Sequence, residues 1–346
     1  MTFVLIVLGI LLGTIALDAL LPALQLPAVP LPDLLQNYAT VFLGIFIEAV
    51  PFLLLGSVAA GLITEFVSAD DIARFFPRNK VAGAFAGSLL GMLFPVCECG
   101  VVPLVRRLYQ KGFPISAGIS FLLAAPVINP VVIASTYAAF GNSPIFWGRI
   151  IFTIVIAFGI GMIFAVQPNT MRVLLPRSLT PVMGGIDQGQ RAKGKLQTPA
   201  IASVKPSFSL RLQRALSVAS DDFFDMGKYL VLGTLIATTL QTFIPQQALV
   251  NVGSGPIMSV VALQALAFVL SVCSTVDAFL ALSFVNTFTA GSIIAFLVFG
   301  PMIDIKSTIM YLNVFRPRVV FYIAALTFLS TLLVGVFINL NINLAP

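Results

Sequence analysis

Two short stretches of this chain place thiol and carboxylate side chains where an otherwise apolar sequence breaks. The first is Phe94-Pro95-Val96-Cys97-Glu98-Cys99-Gly100 and the second is Ser271-Val272-Cys273-Ser274-Thr275-Val276-Asp277; together they hold all three cysteines. Each is followed about thirty residues later by a second break, Ala125-Pro126-Val127-Ile128-Asn129-Pro130 and then Gly300-Pro301-Met302-Ile303-Asp304-Ile305. Thiolates are soft ligands that favour Cu(I) and Zn(II), and the same softness suits trivalent arsenic or antimony. Cys97, Cys99 and Cys273 are therefore the candidate metal or metalloid ligands, a three-sulfur site if they converge. The plainer reading makes them small buried apolar side chains.

Glu98, Asp277 and Asp304 lie in apolar surroundings, where a carboxylate at a helix centre costs about 2.5–3.5 kcal/mol to insert. They are candidates for proton coupling and for contact with a solute. Glu48 and Asp225, nearer the ends of their apolar runs, are further proton-coupling candidates, and a structural or solvated role is the alternative for all five. The chain has no histidine, so a proton relay would use carboxylates, tyrosines or water. Pro95 removes a backbone donor and ends an incoming helix, and Gly100 permits unusual backbone and close approach of a ligand. Asn129 and Asp304 follow the prolines of the second breaks, where they can satisfy freed backbone groups or line the solute site. The candidate binding set is Cys97, Glu98, Cys99, Gly100, Asn129, Cys273, Asp277 and Asp304.

The elements that must position these residues are membrane helices. Apolar residues make up 59% of the 346 and charged residues 9%, against roughly 25% charged in a soluble domain. Mean hydropathy is +1.05. Such a chain cannot cover a water-facing surface, and no alternating ten-residue pattern suggests a β-barrel. Helices are expected at about 3–21, 38–64, 114–140, 146–166, 215–244, 291–312 and 317–340. The first lacks a basic leader region and reads as a retained helix. The net charge of +6 reports basic loops on one side of a bilayer, with no motif for nucleic acid. Three cysteines make a disulfide framework improbable.

The chain also repeats itself. Ile47-Glu48 through Gly56-Ser57 matches Phe224-Asp225 through Gly233-Thr234, Cys97 matches Cys273, Pro126 and Asn129 match Pro301 and Asp304, and Arg149 matches Arg318. This order divides the chain into 1–37, an N-terminal helix and outer loop; 38–167, a first repeat; 168–214, a basic linker with Arg172, Arg177, Arg191, Lys193, Lys195 and Lys205; and 215–346, a second repeat. The linker reads as a flexible cytoplasmic segment, with docking or anionic-lipid binding as the alternative.

Basic residues cluster at 74–80, 106–111, 172–214 and 306–318, and none occurs in 22–37 or 245–256. Placing every cluster in the cytoplasm puts Lys80 and Lys111 on one side. The stretch between them then enters and returns as a re-entrant hairpin, and 257–291 does so from the other face. The expectation is an all-α integral membrane protein of two inverted-topology repeats, with about seven spanning helices and two re-entrant hairpins. Its N-terminus lies inside and its C-terminus outside; nine full spans with parallel repeats is the rival. Arg149, the one basic residue on the wrong side, pairs with a carboxylate or anchors at the interface, as does Arg318. Paired helix breaks in corresponding halves point to a transporter's solute site.

At these residues the chain resembles the predicted permease family that includes arsenical-resistance permeases (ArsP-like). The resemblance rests on Cys97-Glu98-Cys99-Gly100-Val101-Val102-Pro103, Lys111-Gly112, Ala125-Pro126-Val127-Ile128-Asn129-Pro130 and Cys273-Ser274-Thr275-Val276-Asp277-Ala278-Phe279, and covers most of the chain from about residue 38. It implies a multi-pass permease of the bacterial inner membrane, with some members linked to export of trivalent arsenic or organoarsenicals. Many relatives carry Ser between the first two cysteines; Glu98 adds a charge there and argues against an uncharged organoarsenical.

The expected function is secondary export of a thiophilic solute through a midplane cysteine and carboxylate site. The expected partners are a small-molecule or metalloid solute, the lipid bilayer and, as an open option, a second copy of the chain in a homo-oligomer, with no nucleic acid and no cofactor. No P-loop occurs, so an ATPase would have to be a separate protein. The rivals are a permease for another solute with structural cysteines, and a membrane thiol oxidoreductase, which usually shows Cys-x-x-Cys rather than Cys-x-Cys.

Overall fold

Long apolar runs interrupted by Pro and Gly produce long helices that end inside the molecule. In the computed structural model the described residues are 31–77, 79–166, 173–175, 207–243 and 255–341. Thirteen helices occur among them, and we number these in chain order. The first half of the chain contributes α1 (Leu31–Phe66), α2 (Ala69–Phe75), α3 (Lys80–Leu90), α4 (Glu98–Gln110), α5 (Ile115–Ile128), α6 (Pro130–Phe140) and α7 (Pro144–Ala165). The second contributes α8 (Phe208–Phe243), α9 (Met258–Leu270), α10 (Asp277–Leu282), α11 (Ala290–Met302), α12 (Ile305–Val314) and α13 (Pro317–Asn341).

Among the described residues six stretches are long and apolar enough to cross a bilayer: α1, α5 with α6, α7, α8, α11 with α12, and α13. Their outward faces carry large apolar side chains such as Ile47, Leu54, Trp147, Phe321 and Leu333, as lipid contact requires. The chain is a multi-pass membrane protein. The helix expected at 3–21 and most of the linker lie outside the described residues. Helix α8 begins at Phe208, so Arg211 and Arg214 belong to a helix and not to the linker. The linker's first residues are also held: Leu174 forms an antiparallel bridge with Phe315.

Both thiol-bearing stretches reverse the chain. Near the start of α5, Ser116 Oγ bonds the Lys80 carbonyl at 3.5 Å and Tyr109 Oη bonds the Ile115 carbonyl at 3.2 Å. Near the end of α5, Gly91 abuts Ala125, and Asn129 Nδ2 bonds the Val96 carbonyl at 3.3 Å. Thus α3 runs with α5, the chain turns at 91–97, and α4 runs back. The second half does the same. Ser259 meets Ser292 and Gly300 meets Ala267, so α9 runs with α11. The Ser271 hydroxyl then accepts from the Ile305 N–H beside the second break. Ser271 itself adopts φ +46° at the end of α9, a left-handed conformation uncommon outside glycine.

The two halves oppose each other. Tyr38 meets Leu235 and Thr239 while Phe66 meets Phe208, so α1 and α8 are antiparallel. Lys306 meets Glu98 and Phe315 meets Tyr109, so α4 and α12 are parallel. Because α4 opposes α5, the α11–α12 pair opposes the α5–α6 pair.

Gly100 does not supply the unusual backbone expected of it. It lies in the first turn of α4, and a Cβ on the facing Gly56 would fall 2.3 Å from its Cα. Its place is a backbone-to-backbone crossing of α1 and α4, which no side chain fits. Outside the spans, Ser68 and Asp71 form a capping box on α2. Hydrogen bonds from the Ser68 side chain and backbone hold the Asp71 carboxyl below its usual value. Lys111 donates to the carbonyls of Thr64, at 2.6 Å, and Val67, so a cation satisfies orphan acceptors at the end of α1. Burial lowers the Lys111 ammonium, against the pull of Glu65 and Asp71.

Candidate functional site

Four helices start at the breaks: α4 at Glu98, α6 at Pro130, α10 at Asp277 and α12 at Ile305. A helix N-terminus presents unpaired N–H groups and a positive dipole end, which favours a carboxylate there. The sequence supplies one at three of the four. Glu98 and Asp277 lie in first turns, and Asp304 accepts the Ser307 N–H at 2.6 Å as the cap of α12. At the fourth, Asn129 accepts the Val132 N–H at 2.9 Å and also donates to the carbonyls of Val96 and Ala125. Asn129 thus ties the two first-half breaks together, and its polar atoms are spent on backbone.

The helices they begin pack across the halves, α4 with α12 and α10 with α6. Each association contains a buried cation. Lys306 reaches Glu98 Oε1 at 3.3 Å and Asp304 Oδ2 at 3.5 Å. Arg149 grips Asp277 with both terminal nitrogens, at 2.9 and 2.7 Å, and Thr136 accepts from the same guanidinium. The two clusters differ in kind. The arginine pair is a short, two-pronged fork, whereas the lysine pairs are long single contacts that leave Glu98 Oε2 buried without a partner.

All three cysteines are free and buried. Cys97 and Cys99 are near enough to influence each other electrostatically, as is Cys273 with Cys97, Glu98 and Glu48. Glu48, half-buried on α1, accepts from Thr275 beside Cys273. Yet among the described residues no group of three or more cysteine, aspartate and glutamate side chains is gathered to hold one metal ion. The three sulfurs share a neighbourhood without forming a ready three-ligand set. Ser57, Thr234 and Ser274, beside the α1–α4 crossing, Lys306 and Cys273 respectively, keep buried hydroxyls without partners.

Asp225 stands apart from this neighbourhood. It sits at the far end of α4, where Arg106 reaches it at 2.7 Å and Lys228 at 2.6 Å, with Asn313 at 3.4 Å. Beside it Arg107 forks onto the fully buried Asp222, both contacts at 2.7 Å. Arg149 is the carboxylate-paired member of its matched arginines, while Arg318 is exposed.

Sequence reasoning missed Lys306, Arg106, Arg107 and Asp222. It placed the three cations among loop charges, although Lys306 falls inside the apolar run assigned to a helix at 291–312. A lysine two residues past a break-site aspartate, within a span, was the available signal. For Arg106 and Arg107 only the tertiary contact with α8 reveals the pairing.

A family model described as predicted permease matches residues 34–340. The chain is 41% identical to the UPF0718 protein YcgR of Bacillus subtilis over 303 residues, covering 85% of this chain and 96% of that protein. It is 34% identical to a Streptococcus mutans protein whose name describes a subunit of a two-component membrane permease complex, covering 83% and 90%. No solved structure matches.

Proposed function

Because the chain belongs to the predicted permease family, we propose that it is a secondary transporter of the bacterial inner membrane that exports a thiophilic solute. The observation that carries this reading is the buried, thiol-lined charge cluster built where four half-helices begin. Solute and ion sites of transporters lie at such discontinuous helices near the midplane. Backbone that is not helical at that depth must be enclosed by protein or line a water-filled cavity.

In this reading the chain comprises two inverted repeats, 38–167 and 215–346, with about seven spans and two hairpins. The reversals at 91–97 and 271–276 and the opposed directions of α1 and α8 support it. The apolar run expected at 3–21 would be a further span, and the stretch between α7 and α8 would join the repeats. Alternating access would rock the halves about the cluster. Cys97, Cys99 and Cys273 would hold the solute, a trivalent arsenic species or a soft metal ion, with Glu98, Asp277, Asp304 and Glu48 as carriers of a coupling proton. Asn129 and Gly100 shape the site through backbone contacts. Asp225, paired at the far end of α4, contributes to closure rather than binding. The relative named as part of a two-component complex makes a second subunit, or a second copy of this chain, the expected partner.

The test is gradient-driven accumulation of arsenite, Cu(I) or Zn(II) in everted vesicles. Accumulation that disappears in Cys97→Ser and Cys273→Ser supports a thiol-based exporter. No accumulation of any of them by folded protein removes the thiophilic solute and leaves a permease for another solute.

A further inference from the structure

Charge balance over the midplane cluster singles out a residue outside the thiol motifs. Glu98, Asp304 and Lys306 are each at most 2% exposed, and two carboxylates there face one ammonium. A buried charge without a partner is costly, so with both carboxylates ionised the group is one positive charge short, which a proton or a bound cation would supply. The missing charge has a place: Glu98 Oε2 is buried and unpartnered, on the residue between two thiols. The Lys306 contacts, 3.3 and 3.5 Å, are longer than those of the matching Arg149 fork. The Lys306 backbone is pinned, since a Cβ on Gly233 would fall 2.9 Å from its Cα. Its ammonium sits on a flexible four-carbon stem and can leave Glu98 without moving the helix.

We infer that Lys306 is the tethered counter-ion of the solute site: its ammonium stands where a soft cation binds, and the Lys306–Glu98 pair and the bound cation exclude each other. The inference rests on the reading that this cluster is the solute site, and it narrows the solute class to thiophilic cations. The side chains as they stand form no ready metal-ligand set among the described residues, so binding requires Glu98 and the two thiols to turn toward the ion. On exchange, the cation takes Glu98 and the Cys97 and Cys99 sulfurs, and each thiol that ligates releases its proton to solvent.

Cd(II) is a suitable probe, measured by competition with a chelating dye on the full-length protein in nanodiscs. Lys306→Met is expected to bind Cd(II) more than about tenfold tighter than the wild type, since a competing charge at contact distance is removed. Lys306→Arg, which restores a cation, is expected to return to wild-type affinity, and adding Glu98→Gln to Lys306→Met to cancel the gain. Asp304→Asn with Lys306→Met keeps both the net charge and the α12 cap, and the gain is expected there too, which covers a Lys306→Met protein that fails to fold. No gain in the cooperatively melting double variant, or no Cd(II) binding by any protein, overturns the inference. Affinity gained without uptake in vesicles removes the transport reading and keeps the counter-ion; uptake without the gain does the reverse.

Discussion

At the scale of single residues, the molecule separates two kinds of buried ion pair. Arg149–Asp277 is a short fork whose guanidinium also donates to Thr136, with both charged side chains nearly inaccessible. Removing one partner of such a pair strands the other and typically costs about 3–5 kcal/mol, whereas replacing both by apolar groups is often close to neutral. Arg149→Met should therefore lower the melting temperature of the purified protein sharply, and adding Asp277→Leu should recover most of the loss. A double variant as unstable as the single one would mean that the guanidinium does more than neutralise Asp277. Glu98–Lys306 is longer and leaves one carboxylate oxygen without a partner.

Among the elements, α4 bears most on the site, because it carries Glu98 at its start and Arg106 and Arg107 near its end. Its register against α1 is set by the Gly56–Gly100 crossing, where backbone meets backbone and nothing can turn aside. Overpacking a tight core costs about 1–3 kcal/mol even where side chains can yield. Gly56→Val is expected to lose at least that much, read as reduced membrane abundance and a lower melting temperature. Gly44→Ala, on the same helix with open space around it, should behave as the wild type. Equal loss in both would show that helix composition matters and the crossing does not. The crossing was visible in sequence only as a glycine beside a cysteine pair, which invited a conformational explanation; what Gly100 faces is Gly56 on α1, far away in the chain.

For the whole molecule, the bonds that join the halves are concentrated charges. Arg106–Asp225, Arg107–Asp222, Arg149–Asp277 and Lys306–Glu98 all run from one half to the other, and α1 packs along α8. Helix association in a bilayer has no hydrophobic drive, so packing and polar contacts decide it. Residues 1–175 and 207–346, expressed as separate chains, are expected to copurify. Charge reversal at Arg107→Asp should break the association, and adding Asp222→Arg should restore it. Copurification unaffected by Arg107→Asp would assign the association to the α1–α8 face alone.

Composition and spacing by themselves determined that this is a helical membrane protein and where its helices break. Insertion into lipid demands long apolar runs, and a Pro, Gly or carboxylate within such a run is conspicuous. The helix positions 114–140, 146–166, 291–312 and 317–340 are legible for that reason. Tertiary structure decided which charges meet. Arg106 and Arg107 look like loop cations in a linear chain, and even Lys306, which falls within a helical run, carries no local record of the carboxylate on another helix that it meets. The pairing of α4 with α12 and α10 with α6, and the close approach that leaves only glycine at position 56, arise from the packing of distant segments. The arrangement of thiols and carboxylates into one buried neighbourhood is a property of that packing.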